Sequence, residues 1–438
     1  MRAGDLVELT LSTISPSGDG LGSLPEYAPA SLDASVPPSR EIHVPGAFPG
    51  EAARVRLLHV SRQHPRAHSE LRELLAPHPA RRDPPCPHHG LAGACNGCPL
   101  LPLPVDAQRI IKAELLAQSF DLHVDRVVAS PLEFGYRWSS KRVIGGRPGA
   151  LTLGSYTRGT HQIVEMDTCR VDHPAIVAAA AELRDIADAL DLQPDTDLRY
   201  AWFKTDGRDV LLTLVTRDHD SRAARDLPDR LDLPTGIAWS VQPSQGNNLR
   251  GEPPTILRGR GDLTLDLAGV SVTVGPLGFL QPNPAAAALA YHDLLRTESG
   301  VPPTGALAFD LYAGAGVTTD LLRRNFTEVR ACESYPESAA GLGLAPETAE
   351  SFLQRTHDFP DLVVANPPRE GLGPDVCAAL LRLAAPRVHI MSCGPAGLAR
   401  DLAALAARYD RAGLRAYDTL PHTPHIELVA WLTRRDLS

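Results

Sequence analysis

The sequence predicts an α/β protein: a doubly wound, mostly parallel sheet at the C-terminal end, a small β-barrel at the start, and a β-rich region between them. Three observations predict it. From Pro284 onward, strand and helix patterns alternate, which is how a parallel sheet with crossover helices reads. The first sixty residues hold only short strand signals, broken by Pro37-Pro38, Pro45-Gly46 and Pro49-Gly50. From about residue 120 to 280, strand signals and tight turns dominate. At about 100–200 residues per domain, 438 residues hold several domains. The composition shifts divide them at 1–60, 61–275 and 276–438.

In the first unit, Leu6–Leu11 alternates in part, Gly18-Asp19-Gly20-Leu21-Gly22 marks turns, and Ile42–Val44 and Ala53–Leu57 are further short strands. A small barrel of the oligonucleotide-binding type fits them. An Arg- and His-containing stretch, Arg62 to Arg82, leads into a cysteine cluster and then a helix over Asp106–Phe120. In the central region Trp202–Thr205 and Val210–Val215 flank Asp206-Gly207 as a hairpin. Leu263–Leu267 and Val270–Val274 flank Ala268-Gly269 in the same way, and Ile176–Leu190 reads as a helix. The last unit begins with an Ala-rich helix, Pro284–Thr297, and the strand Ala306–Tyr312. Strands Val329–Glu333, Leu362–Ala365 and Val388–Ser392 then alternate with helices Ala349–Gln354, Val376–Leu383 and Gly397–Arg408. A hairpin, Leu414–Thr419 with Glu427–Thr433, closes the chain.

A composition of 43% hydrophobic and 22% charged residues is that of a soluble globular chain. Apolar runs such as Ala175–Ala181 fall short of the ~20 residues of a membrane span. Asp5 and Glu8 stand where a signal peptide is apolar, so the expected location is the cytoplasm. A net charge of −9 argues against non-specific coating of nucleic acid but leaves room for a local basic surface. Seven cysteines, an odd number, favour metal or catalytic thiols over disulfides. Nothing in the pattern implies a protein partner, and a monomer is expected.

Phe309-Asp310-Leu311-Tyr312-Ala313-Gly314-Ala315-Gly316 sits where a strand meets a helix, and glycines there let backbone approach a ligand. Glu333 ends the next strand, where a carboxylate accepts both hydroxyls of a ribose. The two together suit an adenosine cofactor, either a nicotinamide dinucleotide or S-adenosylmethionine. Asn366-Pro367-Pro368-Arg369, after the strand Leu362–Ala365, points to methyltransferases that act on planar nitrogen heterocycles.

Cys393, in Met391-Ser392-Cys393-Gly394-Pro395, precedes a helix, a setting that lowers a thiol pKa and favours a nucleophile. Glu427 follows 34 residues later in Pro421-His422-Thr423-Pro424-His425-Ile426-Glu427. Uracil C5 needs this pair. It is a poor nucleophile until a thiolate adds to C6, and a base must then take the C5 proton after methylation.

Cys86-x8-Cys95-x2-Cys98 has metal-ligand spacing, and Cys169, 71 residues on, completes a four-thiolate set. Such a set suits an iron–sulfur cluster or structural zinc, and spacing does not separate them. Between Tyr136 and His161 stand Arg137, Lys141, Arg142, Arg147 and Arg158 with no acid, interleaved with Tyr136, Trp138 and Tyr156. Cations for phosphates and rings for stacking are what single-stranded RNA recognition uses.

On these motifs the chain resembles the S-adenosylmethionine-dependent RNA uracil-C5 methyltransferases, in particular the iron–sulfur branch acting on 23S ribosomal RNA. The resemblance implies a Rossmann-like methyltransferase domain, a central iron–sulfur domain and, from Met1 to about Leu58, an RNA-binding TRAM domain. Cys86, Cys95, Cys98 and Cys169 would then hold a [4Fe–4S] cluster. Phe279-Leu280-Gln281-Pro282-Asn283 resembles the family's Phe-x-Gln-x-Asn, which implies that Gln281 meets the methionine end of the cofactor. Tyr312, Gly314, Glu333 and Asn366 match cofactor positions, Cys393 the nucleophile and Glu427 the base. A transfer-RNA uridine is the alternative target, and an RNA-binding relative without methyl transfer the alternative function.

The sequence departs from the family pattern at three points. Asn366 stands where Asp is usual, and Gly394 where Asn follows the nucleophile. Glu333 and Asn366 are only 33 residues apart, which implies loss of the helix after Glu333 and part of the next strand.

Overall fold

The computed structural model describes residues 1–25, 39–90, 95–157, 160–244, 246 and 250–435. Strands β1 (Leu6–Ile14), β2 (Gly20–Pro25), β3 (Ser39–Val44), β4 (Ala52–Val60) and β5 (Arg66–Ala76) close into a barrel in the order β1-β2-β3-β5-β4. Leu9, Leu11, Ile42, Val44, Val55 and Leu57 fill its interior. The barrel takes in the Arg- and His-containing stretch, which becomes β5. Only Ala67 and Ser69 of β5 are buried, so small inward residues hide its alternation among outward Arg, His and Glu.

α1 (Val105–Phe120) leads to β6 (Val127–Val128). The central region contributes β7 (Ser139–Arg147), β8 (Ala150–Tyr156), β9 (Ile163–Glu165), α2 (Pro174–Ala189), β10 (Tyr200–Thr205), β11 (Val210–Thr216), α3 (Arg222–Asp226), β12 (Gly236–Val241) and β13 (Thr255–Gly259). Its seven strands form one sheet in the order β13-β12-β11-β10-β7-β8-β9, and α2 buries Ile176, Ala180 and Leu183 in its core. The hairpin β14 (Leu263–Leu267) and β15 (Val270–Val274) turns Leu265, Leu267, Val270 and Val272 into the core of the C-terminal sheet.

The C-terminal unit runs α4 (Pro284–Leu294), β16 (Gly305–Leu311), α5 (Val317–Leu322), β17 (Phe326–Cys332), α6 (Pro336–Gly341), α7 (Ala349–Arg355), β18 (Leu362–Ala365), α8 (Gly373–Leu383), β19 (Arg387–Ser392), α9 (Pro395–Leu405), β20 (Tyr409–Tyr417) and β21 (Glu427–Arg434). The sheet order is β17-β16-β18-β19-β21-β20-β6. The first four strands are parallel, and β21 pairs antiparallel with both β19 and β20. The chain leaves β16 for β17 on one side and returns to β18 on the other, the switch point where doubly wound sheets take ligands.

The short Glu333–Asn366 interval has a clear structural result. A helix does follow Glu333, as the six-residue α6, contrary to the expectation that it is lost. What is absent, among described residues that include all of 333–361, is any strand outboard of β17, the third position of the doubly wound order. β17 is therefore the sheet edge, and its outer face carries the charged pair Glu328 and Arg330, which blunts an edge strand.

Candidate active site

The carboxyl ends of β16, β17, β18 and β19 open into one cavity of about 570 Å³. Gln281, Tyr312, Gly314, Glu333, Asn366, Cys393 and Glu427, which span 147 positions of sequence, all line it. Strand geometry explains the convergence. Tyr312, Glu333, Asn366 and Cys393 each stand just past the carboxyl end of a parallel strand. Glu427 comes from the amino end of the antiparallel β21. There Ser392 pairs with Leu428, so the next step of the register sets Cys393 against Glu427.

The turn after β16 is held from beneath. Thr318 and Thr319 at the start of α5 donate their hydroxyls to the buried Asp310 carboxylate, at 2.8 Å and 2.5 Å to Oδ2. Burial dominates and pushes Asp310 up to about 6. Tyr312 takes a φ of 62°, uncommon for a side chain of its size. At Gly314, with φ 58°, an added Cβ would point into open space, so the backbone there forms a cradle with nothing in front of it. The N–H groups of Gly314 and Tyr335 donate to the two Glu333 oxygens at 2.8 Å and 2.6 Å. Each oxygen keeps a lone pair for a ligand hydroxyl.

Cys393 is exposed at the cavity. Its thiol is nevertheless raised above the ordinary value, by desolvation first and then by the Glu427 charge, while Arg369 opposes both. This reverses the expectation of a lowered pKa from the nearby helix start. Glu427 is buried, and desolvation pushes its carboxyl up to about 8 against the pull of Arg369. Arg369 is thus the one cation acting on both groups. Its place in Asn366-Pro367-Pro368-Arg369 was the signal for it.

Gly394 has its own reason. A Cβ there would lie 2.0 Å from the Arg369 carbonyl oxygen, so no side chain fits where the family carries Asn. Asp401 in α9 accepts the Leu372 N–H at 2.7 Å and fixes the same loop from the other side.

Two further groups escaped the sequence reading. Tyr291, on the Ala-rich α4, lines the cavity beside Gln281 and Asn366, and burial raises its phenol against the opposing pull of those two side chains. A lone phenol near the end of an Ala-rich helix, next to His292 and Asp293, is a weak signal. Gln108 on α1 donates to His422 Nδ1 at 3.0 Å and accepts the His422 N–H at 2.7 Å, holding the loop before Glu427.

The four cysteines Cys86, Cys95, Cys98 and Cys169 are free and line a second, narrow cavity of about 30 Å³. Its other walls include Leu101, Phe134, Met166 and Val171. Burial raises Cys98 to about 12 and Cys169 to about 11. Among the described residues, no three His, Cys, Asp or Glu side chains form a ready single-ion site.

The basic stretch does not form the free cationic surface expected of it. Arg142 is fully buried in an ion pair with Asp172 and a hydrogen bond to Ser140. Arg137 faces Asp172 and the thiols of Cys98 and Cys169. Tyr136 is buried, with its hydroxyl donating to the Pro421 carbonyl at 2.9 Å. The Lys141 ammonium sits 4.5 Å from the Tyr200 ring centre. Arg147 is exposed, and Arg158 lies outside the described residues.

No family model matches the chain. Curated relatives do, over nearly its whole length. Its relatives are named as RNA methyltransferases. An uncharacterized RNA methyltransferase of Geobacter sulfurreducens is 29% identical over 99% of this chain and 91% of its own length. Another, from Thermosynechococcus vestitus, is 28% identical over 99% of both chains. Among solved structures, the Pyrococcus abyssi tRNA (uracil-54, C5)-methyltransferase in complex with S-adenosyl-L-homocysteine superposes with a TM-score of 0.72. It is 22% identical, and the match covers 98% of this chain and all of that one, so the two share a fold. Among the described residues, no helix is long and apolar enough to cross a membrane.

Proposed function

We propose that the protein transfers a methyl group from S-adenosylmethionine to C5 of a uridine in RNA, most consistently 23S ribosomal RNA. The observation that carries this reading is the register that sets a thiol against a buried carboxylate in the cavity that also holds the cofactor motifs. The names of the relatives support RNA as the substrate and methyl transfer as the reaction.

The residues fit the cofactor. Glu333 offers a fixed carboxylate to a ribose, the Gly314 turn offers open backbone, and Gln281 and Asn366 offer polar amides beside Tyr291. When bound, S-adenosylmethionine supplies an electrophilic methyl group on a sulfonium. Cys393 as thiolate adds to C6 of the uracil, which must leave its base stack to meet it, and the electron pair moves toward C5 and O4. Arg369 stabilises that thiolate. Once C5 carries the methyl group, Glu427 takes the C5 proton and the C6–S bond breaks, returning the thiolate. A carboxyl held near 8 is a strong base once ionised.

Cys86, Cys95, Cys98 and Cys169 fit a [4Fe–4S] cluster by donor chemistry: four thiols around one cavity whose other walls are mostly apolar, with His88, His89 and Arg170 beside them. The cluster would clamp segments far apart in sequence. Structural zinc is the alternative, and the visible spectrum of anaerobically purified protein separates them, brown for the cluster and colourless for zinc.

The test uses transcripts of 23S ribosomal RNA and of transfer RNAs carrying [5-³H]uridine, with S-adenosylhomocysteine calorimetry on the same protein. Tritium release from the ribosomal transcript, dependent on S-adenosylmethionine, is expected. Release only from transfer RNA would move the target. No cofactor binding by folded protein would make it an RNA-binding relative without methyl transfer.

A further inference from the structure

Lysine is scarce in this chain, with three against 40 arginines. Two of the three, Lys112 and Lys204, are among its largest fully buried side chains. Each ammonium sits in a complete tripod of acceptors. Lys204 Nζ, on β10 of the central sheet, donates to the carbonyl oxygens of Gly275, Pro276 and Gly278, each at 2.7 Å. Lys112 Nζ, on α1, donates to Asp418 Oδ1 at 2.5 Å, His425 O at 3.0 Å and Leu420 O at 3.2 Å.

The acceptors are not scattered. Those of Lys204 form the turn that runs from the end of β15 into Gln281. Arg250, also from the central region, takes the remaining carbonyl of that turn, Leu277, at 3.2 Å. Those of Lys112 form the loop from the end of β20 to Glu427. So one lysine ties the cofactor turn to the central sheet, and the other ties the base loop to α1.

A tetrahedral ammonium offers three N–H groups spread like a tripod, whereas a guanidinium offers its donors in one plane. Three oxygens converging on one point, all carbonyls at Lys204 and two carbonyls with a carboxylate at Lys112, match the first shape and not the second. We propose that Lys112 and Lys204 are positioning residues of the methyl-transfer site: Lys204 sets Gln281 for cofactor binding and Lys112 sets Glu427 for proton removal. The inference rests on the function proposed above.

Its test compares wild-type full chain with Lys204→Arg and Lys112→Arg, by S-adenosylhomocysteine calorimetry and by tritium release from the ribosomal or transfer-RNA transcript that wild type uses. Lys204→Arg is expected to weaken S-adenosylhomocysteine about tenfold or more, with the saturated rate within about threefold of wild type. Lys112→Arg is expected to reverse that split, losing about tenfold in saturated rate with binding nearly unchanged. Equal losses in both quantities, or full function in both variants, would overturn the proposal. Where an arginine variant does not fold, Lys→Gln, uncharged with two donors, is read for the same split; failure of both to fold also overturns it, leaving a purely structural role. Wild-type protein that binds no S-adenosylhomocysteine would bring down the methyl-transfer reading, whereas wild-type binding with unaltered variants brings down this inference alone.

Discussion

Two of the cavities that gather distant residues differ in kind. The cavity at the strand ends, about 570 Å³, mixes carboxylates, amides, a thiol and exposed backbone. The cysteine cavity, about 30 Å³, surrounds its thiols mainly with Leu, Phe, Met and Val side chains, with His88, His89 and Arg170 at its walls. A reactant can enter and leave the first, whereas the second suits a group that stays. They also touch the same loop. Phe134 lines the cysteine cavity and stacks on His422 at 4.8 Å between ring centres, and Leu100, two residues past Cys98, donates its N–H to the His422 carbonyl at 2.9 Å. The two cavities thus share the loop that supports Glu427.

The sharpest way to break this contrast is to remove one group from each side. Cys393→Ala is expected to lower tritium release by about a thousandfold or more, with S-adenosylhomocysteine affinity unchanged by calorimetry. Glu427→Gln comes next. It should block C5 proton removal while leaving Cys393 able to add, so a covalent RNA–protein adduct accumulates on denaturing gels. Wild-type turnover should rise with pH through about 8 as Glu427 ionises, and further because the Cys393 thiol lies above its ordinary 9.0.

The same variant tests stability with a fixed sign. Glu427 has an ordinary value of 4.5 and a folded value near 8, so between them the folded state binds a proton the unfolded chain has lost. The stability this gives is full below 4.5 and is lost as pH rises through 8. Glu427→Gln, a mimic of the neutral acid, should therefore melt above wild type at pH 9 and with it at pH 4.

On the other side, under the proposed cluster reading, Cys169→Ser is expected to lower iron content and the melting temperature, and to reduce the saturated rate about tenfold through the His422 loop. S-adenosylhomocysteine binding should hold. A loss as deep as that of Cys393→Ala would mean that the two cavities are not separable in function.

The strand ends were legible in sequence because Rossmann-type chemistry is written locally: each motif sits at one strand–loop junction, and the sheet brings the junctions together. Cys393 and Glu427 come to line one cavity for that reason. The basic stretch misled because the acid that neutralises Arg142 is Asp172, thirty residues away, and no local pattern announces a buried ion pair. β5 hid behind small inward residues. The roles of Lys112, Lys204 and Gln108 belong to contacts between regions, where spacing carries no information. Even the reversed thiol pKa follows this rule, since its causes are burial and a residue on a neighbouring strand.

The smallest effect is expected from Asn366→Asp, which installs the residue usual in the family that the sequence resembles. Asn366 lines the cavity with Tyr291, and Tyr291 lies within electrostatic reach of Glu427. Asp matches Asn in size and keeps an acceptor oxygen, so cofactor affinity should stay within about threefold of wild type. It also adds a negative charge to the cavity that holds Glu427, and like charges favour the protonated acid. The midpoint of the pH–rate profile should therefore move upward from the wild-type position, with the plateau rate preserved. A downward shift would mean that Asn366 and Glu427 do not share one field. An unchanged profile with weaker S-adenosylhomocysteine binding would confine Asn366 to the cofactor side of the cavity.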